Sequence, residues 1–434
     1  MKKTIGMLFV VTLLAIGLIG CTNNEDKSGS DSGDKKELTF WYSLSGENGE
    51  NFKKIVDDFN EQSDEYHMQA EYQGSYTETL TKIRAVGEDD APALLMASGT
   101  PRKYLAEQDF MVPIQDFIDE DDDFDVDDIH DNVISRYTID DKLYSMPFSA
   151  SLATMYYNKD MFEEVGLDPE NPPTTYEEME EAAQTIKDET GNVGFSMATI
   201  GYYLEQLLTN QGALYLDNDN GYGGEPTKTL IDEEPGQLVF EWLDRMNQEG
   251  TFKNYGSDWE DPRAPFLSGE LGMYFDSSAN TQEVVQDAPF EVGTAPLPNP
   301  EGVDPVGGQV GGNSIYITNK VPEEDREGAY EFLKYLISPE VQAEWASKTG
   351  YFPINKKSPE EDVLVETYDE FPQMKTAVDV AEDTPAEPAT SGPLSEDGEE
   401  HRSIVEAAQE KMYEGEDPIE ALNEAAEKIN ELLE

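Results

Sequence analysis

Between Leu38 and Ala97 the chain switches repeatedly between strand and helix patterning, and this order restricts the fold more than any other feature. Leu38-Thr39-Phe40-Trp41-Tyr42 alternates as a strand does, and Phe52, Ile55, Val56 and Phe59 recur at helical spacing. A strand around His67–Tyr72, a helix around Tyr76–Glu88 and an apolar strand Ala93–Ala97 follow. A β-α-β-α-β order predicts an α/β layer with a largely parallel sheet. A second α/β region begins near Met155-Tyr156-Tyr157. There Thr174 and Glu177 have capping-box spacing for a helix carrying Met179, Ala182, Ala183 and Ile186. Further helices are expected around Leu238–Met246, Ala329–Leu336 and, as a pair, Arg402–Leu433, with a Gly-rich turn and strand at Gly308–Thr318 and a loop at Ala381–Gly398. A length of 434 residues favours two or three domains.

The charge balance narrows the partners. Against 93 Asp+Glu stand 29 Lys+Arg, a formal net charge of −64. Nucleic-acid binding is excluded, because a phosphate backbone requires a basic face. With 18 Phe, 22 Tyr and 4 Trp, the chain is too aromatic to be a disordered acidic polymer. The densest acidic run, Asp116–Asp131, is interrupted by Phe117, Ile118, Phe124, Val126 and Ile129. It reads either as a calcium site or as the solvated face of a salt-adapted protein. No EF-hand spacing is present, and Asp217-Asn218-Asp219-Asn220-Gly221 has the wrong offsets, so the salt-adapted surface is the reading adopted. No metal is expected.

The N-terminus has the layout of an export signal: Lys2 and Lys3, then an apolar run Ile5–Ile19 closed by small residues. Leu18-Ile19-Gly20-Cys21 resembles the lipobox of bacterial lipoproteins, in which the Cys is acylated and the preceding peptide removed. Residues 22–37 are polar and charged throughout and read as a flexible tether. The expectation is an extracytoplasmic protein held at the membrane by a lipidated Cys21. Without Lys2 and Lys3, the remaining 27 Lys+Arg and 93 Asp+Glu give −66.

Enzyme signatures are weak. The three histidines, His67, His130 and His401, stand in polar sequence surroundings and outside any H-E-x-x-H motif. Gly307–Gly312 fits neither dinucleotide nor P-loop spacing and leads into a strand. With 93 acids, a carboxylate pair at glycosidase spacing carries no information. No catalytic residue and no cofactor are assigned.

Phe266-Leu267-Ser268-Gly269-Glu270-Leu271-Gly272-Met273 resembles the F-x-x-G-x-x-x-M segment of family 1 extracellular solute-binding proteins of ABC importers. Ala329…Phe332-Leu333-Lys334-Tyr335-Leu336…Glu344-Trp345…Thr349-Gly350-Tyr351-Phe352-Pro353-Ile354 resembles the same family. Phe40–Ser43, Tyr72–Tyr76, Met146–Ser151 and Tyr156–Pro169 bring the resemblance closest to the sn-glycerol-3-phosphate-binding proteins of Ugp-type importers. It implies an α/β, two-lobed, periplasmic-binding-protein-like (Venus flytrap) fold with hinge crossings and an interlobe ligand cleft. Lobe one is expected at 38–147 plus 308–350, and lobe two at 151–305 plus 355–434. The implied partners are a membrane permease and its ATPase, with the binding protein itself a monomer.

Carried over position by position, the resemblance implies a ligand site of Tyr76, Ser151, Ser277, Gly312, Tyr351 and Arg402, with Tyr202 near an aromatic platform. Arg402 is the expected phosphate contact, at the start of a helix; its competing role is pairing with a nearby acid such as Glu399 or Glu406. The two tyrosines could equally be half-buried aromatics, and the two serines turn or cap residues. One position departs from the pattern: Gly99 stands where the family has a glutamate associated with the glycerol hydroxyls. The alternative is therefore a sugar or oligosaccharide binder of the same family, stacking its ligand on Tyr202, Tyr203, Tyr222 or Trp259. A surface-anchored glycosidase is the third reading.

Overall fold

The computed structural model describes residues 35–86 and 91–434. The signal, Cys21 and most of the tether lie outside the described residues. The alternating N-terminal segment forms β1 (Lys36–Tyr42), β2 (Tyr66–Tyr72) and β3 (Leu94–Ser98), with helices Gly46–Gln62 and Tyr76–Ala85 as crossovers. β1 pairs in parallel with both β2 and β3. Phe52 and Phe59 of the first helix pack edge-on against Phe40 and Phe332, which fixes the helix on the sheet. The second helix starts on a capping box between Ser75 and Glu78, and so Tyr76 opens it.

After β4 (Met111–Val112) and the hairpin β5 (Thr138–Ile139) and β6 (Lys142–Leu143), the chain enters β7 (Met146–Ser151). The second region contains β8 (Ala153–Asn158), β9 (Val193–Ser196), β10 (Leu271–Ser277) and β11 (Val292–Ala295), and β12 (Gly311–Thr318) returns to the first sheet. The first sheet runs β2-β1-β3-β12-β4, with β7 also on β12, and the second β11-β8-β10-β9. Only part of the first sheet is parallel: β12 runs antiparallel to β3, β4 and β7. In the second sheet β8 is antiparallel to both β10 and β11.

Each sheet has its own core. Phe40, Phe52, Phe148, Phe332 and Trp345 belong to one cluster, and Phe195, Trp242, Phe275 and Met412 to the other. The chain crosses between Leu152 and Ala153, between Leu297 and Val310, and between Ala381 and Val405. The two-lobed α/β fold is thus as expected, with one boundary moved. Helices Asp362–Glu370 and Lys375–Asp383 bury Leu364, Tyr368, Ala377, Val378 and Ala381 in the first cluster, although sequence order placed 355–434 with lobe two. Their patterning shows an apolar face without showing which core receives it.

Two local expectations shift. The capping box is made by Thr175 and Glu178, one residue later than Thr174 and Glu177. Thr175 is the extended N-cap: it bridges to Asn299, whose amide donates to the Thr174 carbonyl and whose carbonyl accepts from the Tyr176 amide. His130 and His401 are buried, the latter parallel to Tyr215 at 6.2 Å, so polar sequence neighbours misled about their surroundings.

Candidate functional site

Strand register builds the floor of the interlobe cleft. Asn313 of β12 lies opposite Ser98, Gly312 opposite Ala150, and Gly311 opposite Ser151. Phe352 bridges to Ala150, which places Tyr351 beside the same row. Four separate stretches thus end together at one edge of lobe one. Gly312 has φ +104, and a Cβ there would stand 1.9 Å from the Ser149 carbonyl oxygen, so only glycine fits beside the register shift at Asn313/Ser314. The Asn313 amide donates to the Tyr76 hydroxyl at 3.0 Å. Tyr351 stacks on Trp345 with ring centroids 5.9 Å apart. Burial raises the Tyr76, Tyr202 and Tyr351 hydroxyls, which keeps all three protonated and able to donate at neutral pH.

Lobe two brings Tyr202, Ser277 and Arg402. The Tyr202 hydroxyl and Ser151 Oγ both approach Gly311, within 3.3 and 3.1 Å of where its Cβ would be. Ser277 ends β10; its Oγ accepts from the Ala279 amide as the cap of a 3-10 turn. Gly350, next to Tyr351, abuts the Ala279 carbonyl and draws that turn toward lobe one.

Arg402 differs from expectation in two respects. Its helix runs Gly398–Tyr413, so the unpaired amides of the first turn precede it and are accompanied by Glu399 and Glu400. Its guanidinium is already engaged, by an acid that sequence proximity did not suggest. Nε donates to Glu205 Oε1 and Nη2 to Oε2, both at 2.7 Å, while Nη1 donates to Thr100 Oγ1 at 3.0 Å. Glu205 is 3% exposed, and Gln309 also donates to it, at 3.1 Å. Burial pushes the Glu205 carboxyl up, but the charge and hydrogen bonds of Arg402, the Gln309 bond and the charge of Arg136 outweigh this and hold it below its ordinary value. The signal for Glu205 was present as a charged residue inside the apolar helical run Tyr203–Leu208.

Two further arginines were not anticipated. Arg102 donates through Nη1 to the Gly99 carbonyl and through Nη2 to the carbonyls of Ser391, Gly392 and Pro393 and the Tyr222 hydroxyl. Arg136 donates through Nη1 to the Ser391 carbonyl at 2.8 Å. They are 2% and 3% exposed, and the Nε of each has no partner. Burial and the neighbouring charge of Arg102 both lower the Arg136 guanidinium from its ordinary value. Of the aromatic residues considered for stacking, Tyr203 is buried and donates to the Phe275 carbonyl, and Tyr222 is engaged with Arg102. Tyr202 lies between Arg402, 5.4 Å from its ring centroid, and Trp259, which is 38% exposed.

An interlobe row of hydroxyl, amide and guanidinium donors suits capture of a small oxygen-rich solute. Residues 54–376 match the bacterial extracellular solute-binding protein family. The chain belongs to that family. The sn-glycerol-3-phosphate-binding periplasmic protein UgpB of Yersinia pseudotuberculosis is 28% identical to this solute-binding protein over 408 residues, covering 92% of each. The UgpB of Escherichia coli K12 is 29% identical over 405 residues, covering 91% of this chain and 92% of its own. Among solved structures, the cyclic alpha-maltosyl-1,6-maltose binding protein of Arthrobacter globiformis superposes with a TM-score of 0.77 at 25% identity, covering 92% of this chain and 99% of its own. UgpB of Mycobacterium tuberculosis, in complex with glycerophosphocholine, has a TM-score of 0.77 at 18% identity, covering 92% and 98%.

Proposed function

We propose that this solute-binding protein captures a small phosphate ester, glycerol-3-phosphate or a glycerophosphodiester, and delivers it to the permease and ATPase of an ABC importer. One observation carries the reading. In a chain of net charge −64, the lobe junction holds Arg402 on the buried carboxylate of Glu205, and beside them two further buried arginines, Arg102 and Arg136, bonded to carbonyls of the 391–393 segment. Buried guanidinium groups without anions are costly, and a bound anion would relieve that cost. The curated relatives named for sn-glycerol-3-phosphate binding support the same ligand class. Tyr76, Ser151, Ser277, Gly312 and Tyr351 would supply the hydroxyl and backbone contacts. A ligand held from both sides favours the closed arrangement of the lobes, and no chemistry on it is invoked.

A neutral saccharide is the second reading, favoured by the Tyr202–Trp259 pair at 5.3 Å, an aromatic wall of the kind sugars stack on. A thermal-shift panel separates the two. Glycerol-3-phosphate and glycerophosphocholine should raise the melting temperature by mass action, whereas a rise with maltotriose alone would favour the saccharide. No turnover of glycans is expected.

The protein is further proposed to be monomeric, and to be extracytoplasmic and anchored through acylated Cys21, the last two supported by the export-signal layout and lipobox-like Leu18–Cys21. Cys21→Ser should release it from membranes; a processed variant that still sediments with membranes would contradict the anchor.

A further inference from the structure

We propose that the loop 217–227 of lobe two is a strap that sets how far the lobes open, by pairing its Glu225 with Lys103 of lobe one, outside the ligand site. The run Asp217-Asn218-Asp219-Asn220-Gly221, whose offsets do not suit calcium, is where this loop turns. Asn218, Asp219 and Asn220 all lie in the left-handed region, at φ 52, 55 and 59. That conformation is unfavourable for L-residues, least so for Asn and Asp, and persists only where the surroundings hold it. Here they do. Leu216 bridges to Thr229 at the neck of the loop, and the Asp217 carboxylate accepts from the Thr227 amide at 2.7 Å and its hydroxyl at 2.6 Å. Asn218 Nδ2 donates to the Glu225 carbonyl at 2.6 Å, which fixes the backbone carrying the Glu225 side chain. Asn220, 1% exposed, accepts from the Tyr215 and Leu216 amides and donates to the Pro388 carbonyl of the third crossing. Tyr215, Leu216 and Ile231 are buried in the core of lobe two, so the strap is pinned to that lobe at both ends.

From that base the strap reaches lobe one. Lys103 Nζ donates to Glu225 at 2.8 Å and to Glu107, one turn along its own helix, at 2.6 Å. The Lys103 side chain is 10% exposed and that of Glu225 77%. Removing Glu225 would leave this largely buried ammonium to Glu107 alone. Beside the pair, the Tyr222 hydroxyl accepts from Arg102 Nη2 at 3.0 Å and donates to the Arg136 carbonyl at 3.2 Å. Between these contacts a 280 Å³ cavity, lined by Lys103, Ile139, Tyr144, Tyr222 and Glu225, separates the strap from lobe one. Polar bonds and not a packed apolar face therefore span the gap, and water can replace such bonds when the lobes part. Glu225 and Lys103 lie outside the ligand residues named above. They are positioning residues, acting on capture through the populations of open and closed lobes.

The test reads lobe separation directly. Spin labels are placed at one exposed position on each lobe, by Lys54→Cys and Glu241→Cys in the chain carrying Cys21→Ser, and their distance distribution is recorded without ligand. Glu225→Lys, which sets a second ammonium against Lys103, should lengthen and broaden the distribution, and Glu225→Gln should do so less. Glu189→Lys, the same charge change at another exposed position of lobe two, is the control and should leave the distances as in the parent. In a Lys103→Met background Glu225→Gln should have no further effect, because its partner is gone. Calorimetry with glycerol-3-phosphate should show affinity lowered about tenfold by Glu225→Lys and unchanged by Glu189→Lys. Unchanged distances in Glu225→Lys, or an equal change in Glu189→Lys, would overturn the strap. So would an undiminished effect of Glu225→Gln in the Lys103→Met background. A parent protein that ignores glycerol-3-phosphate would overturn the phosphate-ester reading alone, since the distances decide the strap without any ligand.

Discussion

At the scale of single residues, the lobe junction carries one arginine in an ion pair, Arg402 with Glu205, and two, Arg102 and Arg136, bonded to backbone carbonyls. Glu205→Ala would leave the Arg402 guanidinium facing the cleft without its carboxylate. We expect it to lower unfolding stability by about 3 kcal/mol, read from denaturant midpoints, and an unchanged midpoint would show the pair to be idle. His130 provides a pH test. Burial, reinforced by the charge of Lys356 and opposed by Asp131, pushes its ring down to about 4. Unfolded, the same ring titrates near its ordinary value of about 6.5. Above that pH it is neutral in both states. Between about 6.5 and 4 the unfolded chain takes up the proton first, so stability falls as pH falls, by about 3 kcal/mol in all, and the slope ends below about 4. The stability difference between the parent and His130→Gln should therefore change across this window, while the many carboxylates titrate alike in both proteins. A difference that stays flat with pH would contradict the burial of a neutral ring. Residue types at the site were legible from sequence, but partners were not: Glu205 and Arg402 are far apart along the chain, and only folding brings them to 2.7 Å.

At the scale of elements, the site depends on four chain stretches ending in one row, and Gly312 holds that row together. Gly312→Ala should destabilise the protein by more than about 2 kcal/mol and weaken ligand capture, because its Cβ would meet the Ser149 backbone at 1.9 Å. Gly302, with φ +82 and open space around its missing Cβ, is the control, and Gly302→Ala should cost only about 1 kcal/mol. Equal losses in the thermal or denaturant midpoints of the two variants would remove the special role of Gly312. Element type was largely legible: the alternation at Leu38–Tyr42 and the helical spacing of Phe52, Ile55, Val56 and Phe59 became β1 and the first helix. Pairing was less so. β12 enters the first sheet antiparallel from far along the chain, and local periodicity carries no information about that partner. The helices at 362–383 were misassigned to lobe two for the same reason.

At the scale of the whole molecule, two lobes joined by three crossings carry a surplus of acid spread over their surface. Lysines temper the densest run, Lys334 meeting Asp121 at 2.9 Å and Lys356 meeting Asp131 at 2.8 Å, but far too few are available to balance 93 carboxylates. Self-repulsion should therefore be relieved by salt, and the melting temperature should rise with KCl into the molar range, where the Debye length falls to about 3 Å. A melting temperature indifferent to salt would contradict a salt-adapted surface. The same charge makes the cationic lobe junction meaningful, since long-range attraction cannot bring an anion to this protein and short-range donors must hold it. The most direct measurement is calorimetric titration of the parent protein with glycerol-3-phosphate, with glycerol and maltotriose as neutral counterparts. Saturable binding of the phosphate ester, with neither neutral compound bound, is the predicted result; binding of maltotriose with no response to glycerol-3-phosphate would contradict it.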